Sequence, residues 1–100
     1  HIEMNGNLIT EHCTNSSSKT YHGEQWVNLE LEVRGNDKVI HRINGEVVFE
    51  YEKPQLDDSD PFSKQLLDKG ISRMLHDGYI ALQAESHPVE FRSIELLRLK

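Results

Sequence analysis

The sequence predicts an antiparallel, mostly-β sandwich, and three features predict it. Val27, Leu29, Leu31 and Val33 alternate with Asn28, Glu30, Glu32 and Arg34, the period of two expected of a strand with one buried and one wet face. Asn44-Gly45 lies between two β-rich runs and supplies the two positive-φ residues of a type I′ hairpin turn. Near the C-terminus, Ile80, Leu82 and Ala84 alternate with Tyr79, Ala81 and Gln83, and Val89 and Phe91 with Glu90 and Arg92. Seven strands and one short helix near 61–69 are expected in all.

At the N-terminus, Ile2–Met4 and Leu8–Thr10 flank Asn5-Gly6-Asn7, a small hairpin candidate. Residues 13–22 are polar and turn-rich and read as an exposed loop. Asn15-Ser16-Ser17 within it fits the glycosylation sequon, a pattern common by chance. Three consecutive strands are expected next, at roughly 26–33, 38–43 and 46–51.

The turn at Asn44-Gly45 sets Ile43 opposite Glu46, Arg42 opposite Val47, His41 opposite Val48 and Ile40 opposite Phe49. A four-residue loop from Arg34 to Asp37 pairs Val33 with Lys38 and Leu31 with Ile40, gathering the apolar residues on the Phe49 face. A three-residue loop would instead put Leu31 on the His41 face and mix the two patterns. The four-residue loop is therefore the expected register.

In that register the second face carries Trp26, Asn28, Glu30, Glu32, His41 and Glu50, with Glu30 opposite His41 and Glu50 diagonal to it. An outer, solvated sheet face is the commoner use of such residues. The alternative is a polar cleft with an aromatic platform and an acid–base pair.

Lys53–Ser59 reads as a loop broken by Pro54. Ser59 or Asp60 caps the helix, Pro61 takes its first position, Phe62, Leu66 and Leu67 recur at helical spacing, and Gly70 ends it. Asp57, Asp58 and Asp60 lack the glycine and distal glutamate of a calcium loop and read as turn and cap residues. Downstream, a loop at 85–88 would pair Ala84 with Val89 and Leu82 with Phe91, and a phase shift near Ser93-Ile94 suggests a bend before Leu96–Leu99.

The 100 residues, 36% hydrophobic, fit a single domain. A net charge of −6 with interspersed signs argues against nucleic acid as a partner. Cys13 stands alone, so neither a disulfide framework nor a cysteine metal motif is expected. No apolar run reaches membrane-spanning length and no signal peptide is recognisable.

The run from Trp26 to Tyr51, followed by Gly78 to Leu99, resembles the 3-keto-disaccharide hydrolase domain family. The matching residues are Trp26 and Asn28, Ile40 to Gly45, Gly78-Tyr79-Ile80-Ala81-Leu82-Gln83, and Pro88-Val89-Glu90-Phe91-Arg92-Ser93-Ile94. The resemblance covers about residues 20–99, which would correspond to the C-terminal half of the family's domain. Departures are Val27 between Trp26 and Asn28, Ala84 to His87 where a His-Gly pair is common, and Ser93 where Asn is typical.

The resemblance implies a concanavalin A-like jelly roll, here a partial domain, acting in carbohydrate breakdown. The residues themselves suggest no cofactor and no metal ligand set. It implies a periplasmic or extracellular, bacterial setting. Some members cleave glycosides oxidised to a 3-keto form, in which the ketone acidifies the neighbouring C–H and elimination expels the glycosidic substituent. That chemistry needs a base, an acid for the leaving oxygen and stabilisation of an enolate. His41 or Glu30 then stands as base, Glu50 as orienting group or acid, and Arg92 meets developing charge. Trp26, Gln83, Glu90 and Arg92 become the substrate-binding residues. A non-catalytic carbohydrate-binding module on the same fold is the alternative. A third expectation is self-association, or pairing with a missing half, to cover the Leu29–Leu31–Phe49 face.

Overall fold

The computed structural model describes residues 1–11, 13–84 and 88–99, and shows an all-β protein with one short helix. Strands β1 (Ile2–Met4) and β2 (Asn7–Ile9) form an antiparallel hairpin. Asn5 and Gly6 turn it with φ of 52° and 79°, values that asparagine and glycine tolerate best. Strands β3 (Leu29–Arg34), β4 (Lys38–Ile43) and β5 (Glu46–Tyr51) form an antiparallel sheet in sequence order. Asn44 and Gly45 turn β4 into β5 with φ of 51° and 83°, the left-handed pair that the sequence calls for.

The hairpin attaches to the larger sheet through Glu3 and Glu52, whose backbones exchange two hydrogen bonds of 2.7 Å. The β1–β2 pair thus continues the edge at β5. Val39 and Val48 are the buried apolar residues among those described, so this is a thin core under a shallow sheet. Gln55 is buried with them, its backbone N–H donating to the His1 carbonyl and its side-chain amide to the Lys53 carbonyl.

Two expectations about register are corrected. The β3–β4 connection is the three-residue Gly35-Asn36-Asp37, so Leu31 pairs with His41, Glu30 with Arg42 and Val33 with Val39. In β5, Arg42 pairs with Val47 but His41 pairs with Phe49, because Val48 is an extra, bulged residue. The bulge inverts the parity of everything beyond it. Val39, His41, Phe49 and Tyr51 therefore share one face with Leu29, Leu31 and Val33, while Ile40 lies opposite Glu50 on the other.

The bulge has a local consequence. Its extra residue drops out of the ladder, and the Val48 carbonyl accepts instead from the Ser17 N–H at 2.7 Å and the Ser17 hydroxyl at 3.1 Å. That anchor draws the irregular 13–28 segment back over β5. The expected start of the third strand at Trp26 moves to Leu29, where the pairing with Ile43 begins; Asn28, just before it, bonds Asn44 of the turn instead.

Helix α1 (Pro61–Asp68) forms where the capping pattern places it. The Asp60 carboxylate accepts from the Phe62 N–H, Pro61 fills the first turn, and Gly70 follows the C-cap with φ of 87°. The closing strands are a correction. Residues 79–84 and 88–99 form no strand, and the pairings of Ala84 with Val89 and of Leu82 with Phe91 are not formed. Alternation makes a segment compatible with a ladder, but the ladder's hydrogen bonds need a neighbour, and none lies beside this stretch among the described residues. Most of the expected loop at 85–88 lies outside the described residues.

Candidate functional site

The sheet separates its polar and aromatic chemistry onto opposite faces. On one, Arg42 reaches Glu32 at 3.1 Å and Glu30 at 3.9 Å, and Arg34 also bonds Glu32. Arg34 and then Arg42 hold the Glu32 carboxyl below its ordinary value through these hydrogen bonds. Lys38 pairs with Glu50 at 2.6 Å, which raises the lysine. Glu30 and Glu50 thus face arginine and lysine on a solvated ladder of ion pairs.

His41 sits on the other face, and the expected Glu30–His41 pairing across strands is therefore not made. Its ring meets Phe49 edge-on at 5.3 Å between centroids and Tyr51 at 5.7 Å, while Phe49 and Tyr51 lie 5.2 Å apart. Each spacing lies in the range of favourable aromatic contact. The His41 Nε2 is buried and has no hydrogen-bond partner among the described residues. Burial pushes the imidazole below its ordinary value, so it stays neutral at pH 7, and pushes the Tyr51 phenol up.

Phe49 and Tyr51 also form part of the wall of an open cavity of about 240 Å³. Ile2 and Ile9 from the hairpin, with Glu11 and Thr14 from the following segment, complete much of the lining. The bulge places this cavity, because it turns both aromatic rings toward the hairpin side. A second cavity, of about 180 Å³, lies under the same returning segment and is lined by Ser17, Ser18, Lys19, Tyr21, Glu46 and Val48 among others. Among the described residues, no group of three or more acidic, histidine or cysteine side chains is disposed to hold a metal ion.

The residues proposed from sequence divide into separate places. Trp26 and Arg92 come together, the guanidinium carbon 5.2 Å from the indole centroid, although both are exposed. Gln83 and Glu90 are exposed on irregular backbone. His41 stands apart from Glu30 and Glu50. Sequence reasoning missed Phe49 and Tyr51 as neighbours of His41, and missed Glu11 and Thr14 altogether. The signal available for the former was the Val47-Val48 doublet, two adjacent β-branched residues that cannot both keep strict alternation.

No curated protein and no solved structure matches the chain. No helix among the described residues is long and apolar enough to cross a membrane. The family model described as a 3-keto-alpha-glucoside-1,2-lyase-like domain matches residues 2–97, reaching further toward the N-terminus than the motifs quoted above, and the chain belongs to that family, one named for carbohydrate chemistry.

Proposed function

We propose that this chain acts in the breakdown of glycosides, with 3-keto-glycosides as the substrate class, and that the sugar occupies the cavity between the β1–β2 hairpin and β5. One observation carries the placement: Phe49, Tyr51, Glu11 and Thr14 line the same open cavity. Aromatic rings offer an apolar plate to the C–H face of a sugar, and a carboxylate and a hydroxyl at the rim suit its hydroxyl groups. The family's description names a lyase acting across positions 1 and 2 of a 3-keto-glucoside, and this supports the reaction type.

The reaction is an elimination. A base removes the proton at C2, which the C3 ketone acidifies, and the electron pair becomes the C1–C2 double bond as the glycosidic oxygen leaves C1. That oxygen takes a proton from solvent water in the open cavity as it departs, and the hydroxide left behind is neutralised by the proton the base took from C2. Glu11 is the carboxylate lining the cavity and takes the part of base in this reading. His41, one ring removed from the cavity wall, backs Phe49 and Tyr51.

The test is turnover of a chromogenic 3-keto-glucoside by the wild type, Glu11→Gln, Tyr51→Ala and His41→Ala. Loss of a general base typically costs about 10²–10⁴-fold in rate, so Glu11→Gln should fall in that range while still binding the sugar. Tyr51→Ala should weaken binding. Equal turnover in wild type and Glu11→Gln removes Glu11 from the mechanism. A binding module is the second reading, favoured by the separation of His41 from Glu30 and Glu50 across the sheet. Sugar binding lost in Tyr51→Ala, with no turnover by any variant, would establish it.

A further inference from the structure

Strand β3 has one strand neighbour among the described residues, β4. Its other edge meets no described strand, and on the aromatic face its Leu29, Leu31 and Val33 are 59%, 41% and 44% exposed. Proteins commonly block such an edge with proline, a bulge or charged side chains, lysine above all. The segment Leu29–Arg34 contains no proline or lysine, its pairing with β4 is regular throughout, and its charged residues, Glu30, Glu32 and Arg34, carry both signs.

We propose that this edge is an interface between two copies of the chain, in which β3 pairs antiparallel with β3 of a second copy about a twofold axis at Glu32. The two three-stranded sheets then become one sheet of six strands. A twofold axis makes the interface self-complementary, so the same residues must satisfy each other in both directions.

The side chains select the register. Residues directly opposite in an antiparallel pair share a face, so apolar must meet apolar. An axis between Leu31 and Glu32 would set leucine against carboxylate and is excluded. An axis at Leu31 keeps the faces matched but sets Glu30 against Glu32 twice, with no cation opposite either. With the axis at Glu32, Leu31 meets Val33 of the second copy in both directions, and Glu30 meets Arg34 in both directions. The two Glu32 side chains meet at the axis, each already bonded to Arg34 and Arg42 of its own chain. Like charges directly opposite would oppose pairing, and these arginines neutralise them.

The closing segment is the rival occupant. Arg92 lies over Trp26, three residues before β3 begins, so that segment passes the start of the strand without pairing with it. A monomer whose Leu29–Arg34 amides are protected from exchange would assign the edge to it.

The test is a charge swap read by sedimentation equilibrium. Wild type should give a mass twice the chain's 11.6 kDa, dissociating on dilution. Glu30→Arg sets arginine against arginine and Arg34→Glu sets glutamate against glutamate, so each variant alone should be monomeric. Mixed in equal amounts, the two should recover the dimer, because each mismatch then becomes an opposite-charge pair. Recovery on mixing separates a lost interface from a lost fold. A wild-type monomer at every concentration, or a dimer that survives either variant unchanged, would overturn the proposal.

Discussion

The His41 ring packs edge-on against Phe49, with 5.3 Å between centroids and 73° between planes, directly across the β4–β5 ladder. The imidazole is thereby treated as an aromatic hydrocarbon, yet it retains a buried nitrogen without a partner. Its chemistry and its packing pull against each other, and that conflict is measurable.

The first consequence concerns pH. Burial lowers the His41 pKa from its ordinary value of 6.5, so between 6.5 and the folded value the unfolded chain binds more protons. Stability from this residue is fully present above pH 6.5 and is lost as pH falls through that window. Denaturant midpoints between pH 7.5 and about 5 should decline in the wild type and decline less in His41→Phe. An NMR titration should place His41 below the ordinary histidine range.

The same substitution tests the unpartnered nitrogen. Phenylalanine keeps a ring of similar shape beside Phe49 and Tyr51 while removing the orphaned polar atom. An unsatisfied buried polar group costs about 1–3 kcal/mol, so His41→Phe should match or exceed wild-type stability at pH 7. His41→Ala should fall below wild type, since the aromatic contacts are lost and a void is left. Urea melts of the three proteins check the order.

Ser17 holds the returning segment at two points, and the two are separable. Ser17→Ala removes the hydroxyl bond to the Val48 carbonyl and should cost about 1 kcal/mol. Ser17→Pro removes both donors, the N–H and the hydroxyl, so its excess over Ser17→Ala reports the backbone bond. It should release the segment, seen as faster proteolysis near Tyr21 and loss of amide protection in β5.

At the β4–β5 turn, Asn44 has two tasks. It adopts a positive φ, and its side-chain oxygen accepts from the Asn28 N–H at 3.0 Å. Asn44→Ala should therefore cost about 1–2 kcal/mol, more than the loss of either contribution alone. At the helix, Asp60→Ala should cost about 1 kcal/mol and fray α1 from its N-terminus, visible as reduced helical circular dichroism.

How far the sequence discloses this structure depends on the kind of signal. Turns and caps act locally, so Asn5-Gly6, Asn44-Gly45 and Asp60-Pro61 mark their elements without reference to the rest of the chain. β4 and β5 accordingly fall where expected. Register is a relation between strands, and one extra residue changes it. Leu31 on the His41 face makes a mixed pattern only if Phe49 lies on the opposite side, as unbroken pairing would place it. The Val48 bulge removes that conflict, since it brings Phe49 and Tyr51 round to join both. The candidate site followed the register: Glu30 and Glu50 went with Arg42 and Lys38, and His41 went with the aromatics. The alternating residues beyond Gly78 show the complementary limit, a strand pattern without a neighbour among the described residues to make it a strand.

The Val48 bulge also decides what a one-residue deletion would do. Without Val48 the ladder would run from Arg42–Val47 straight to His41–Phe49, so Phe49 and Tyr51 would keep their places beside His41. What would vanish is the outward carbonyl that receives both Ser17 donors. The deletion would thus leave the aromatic floor standing and cast off the chain that lies across it.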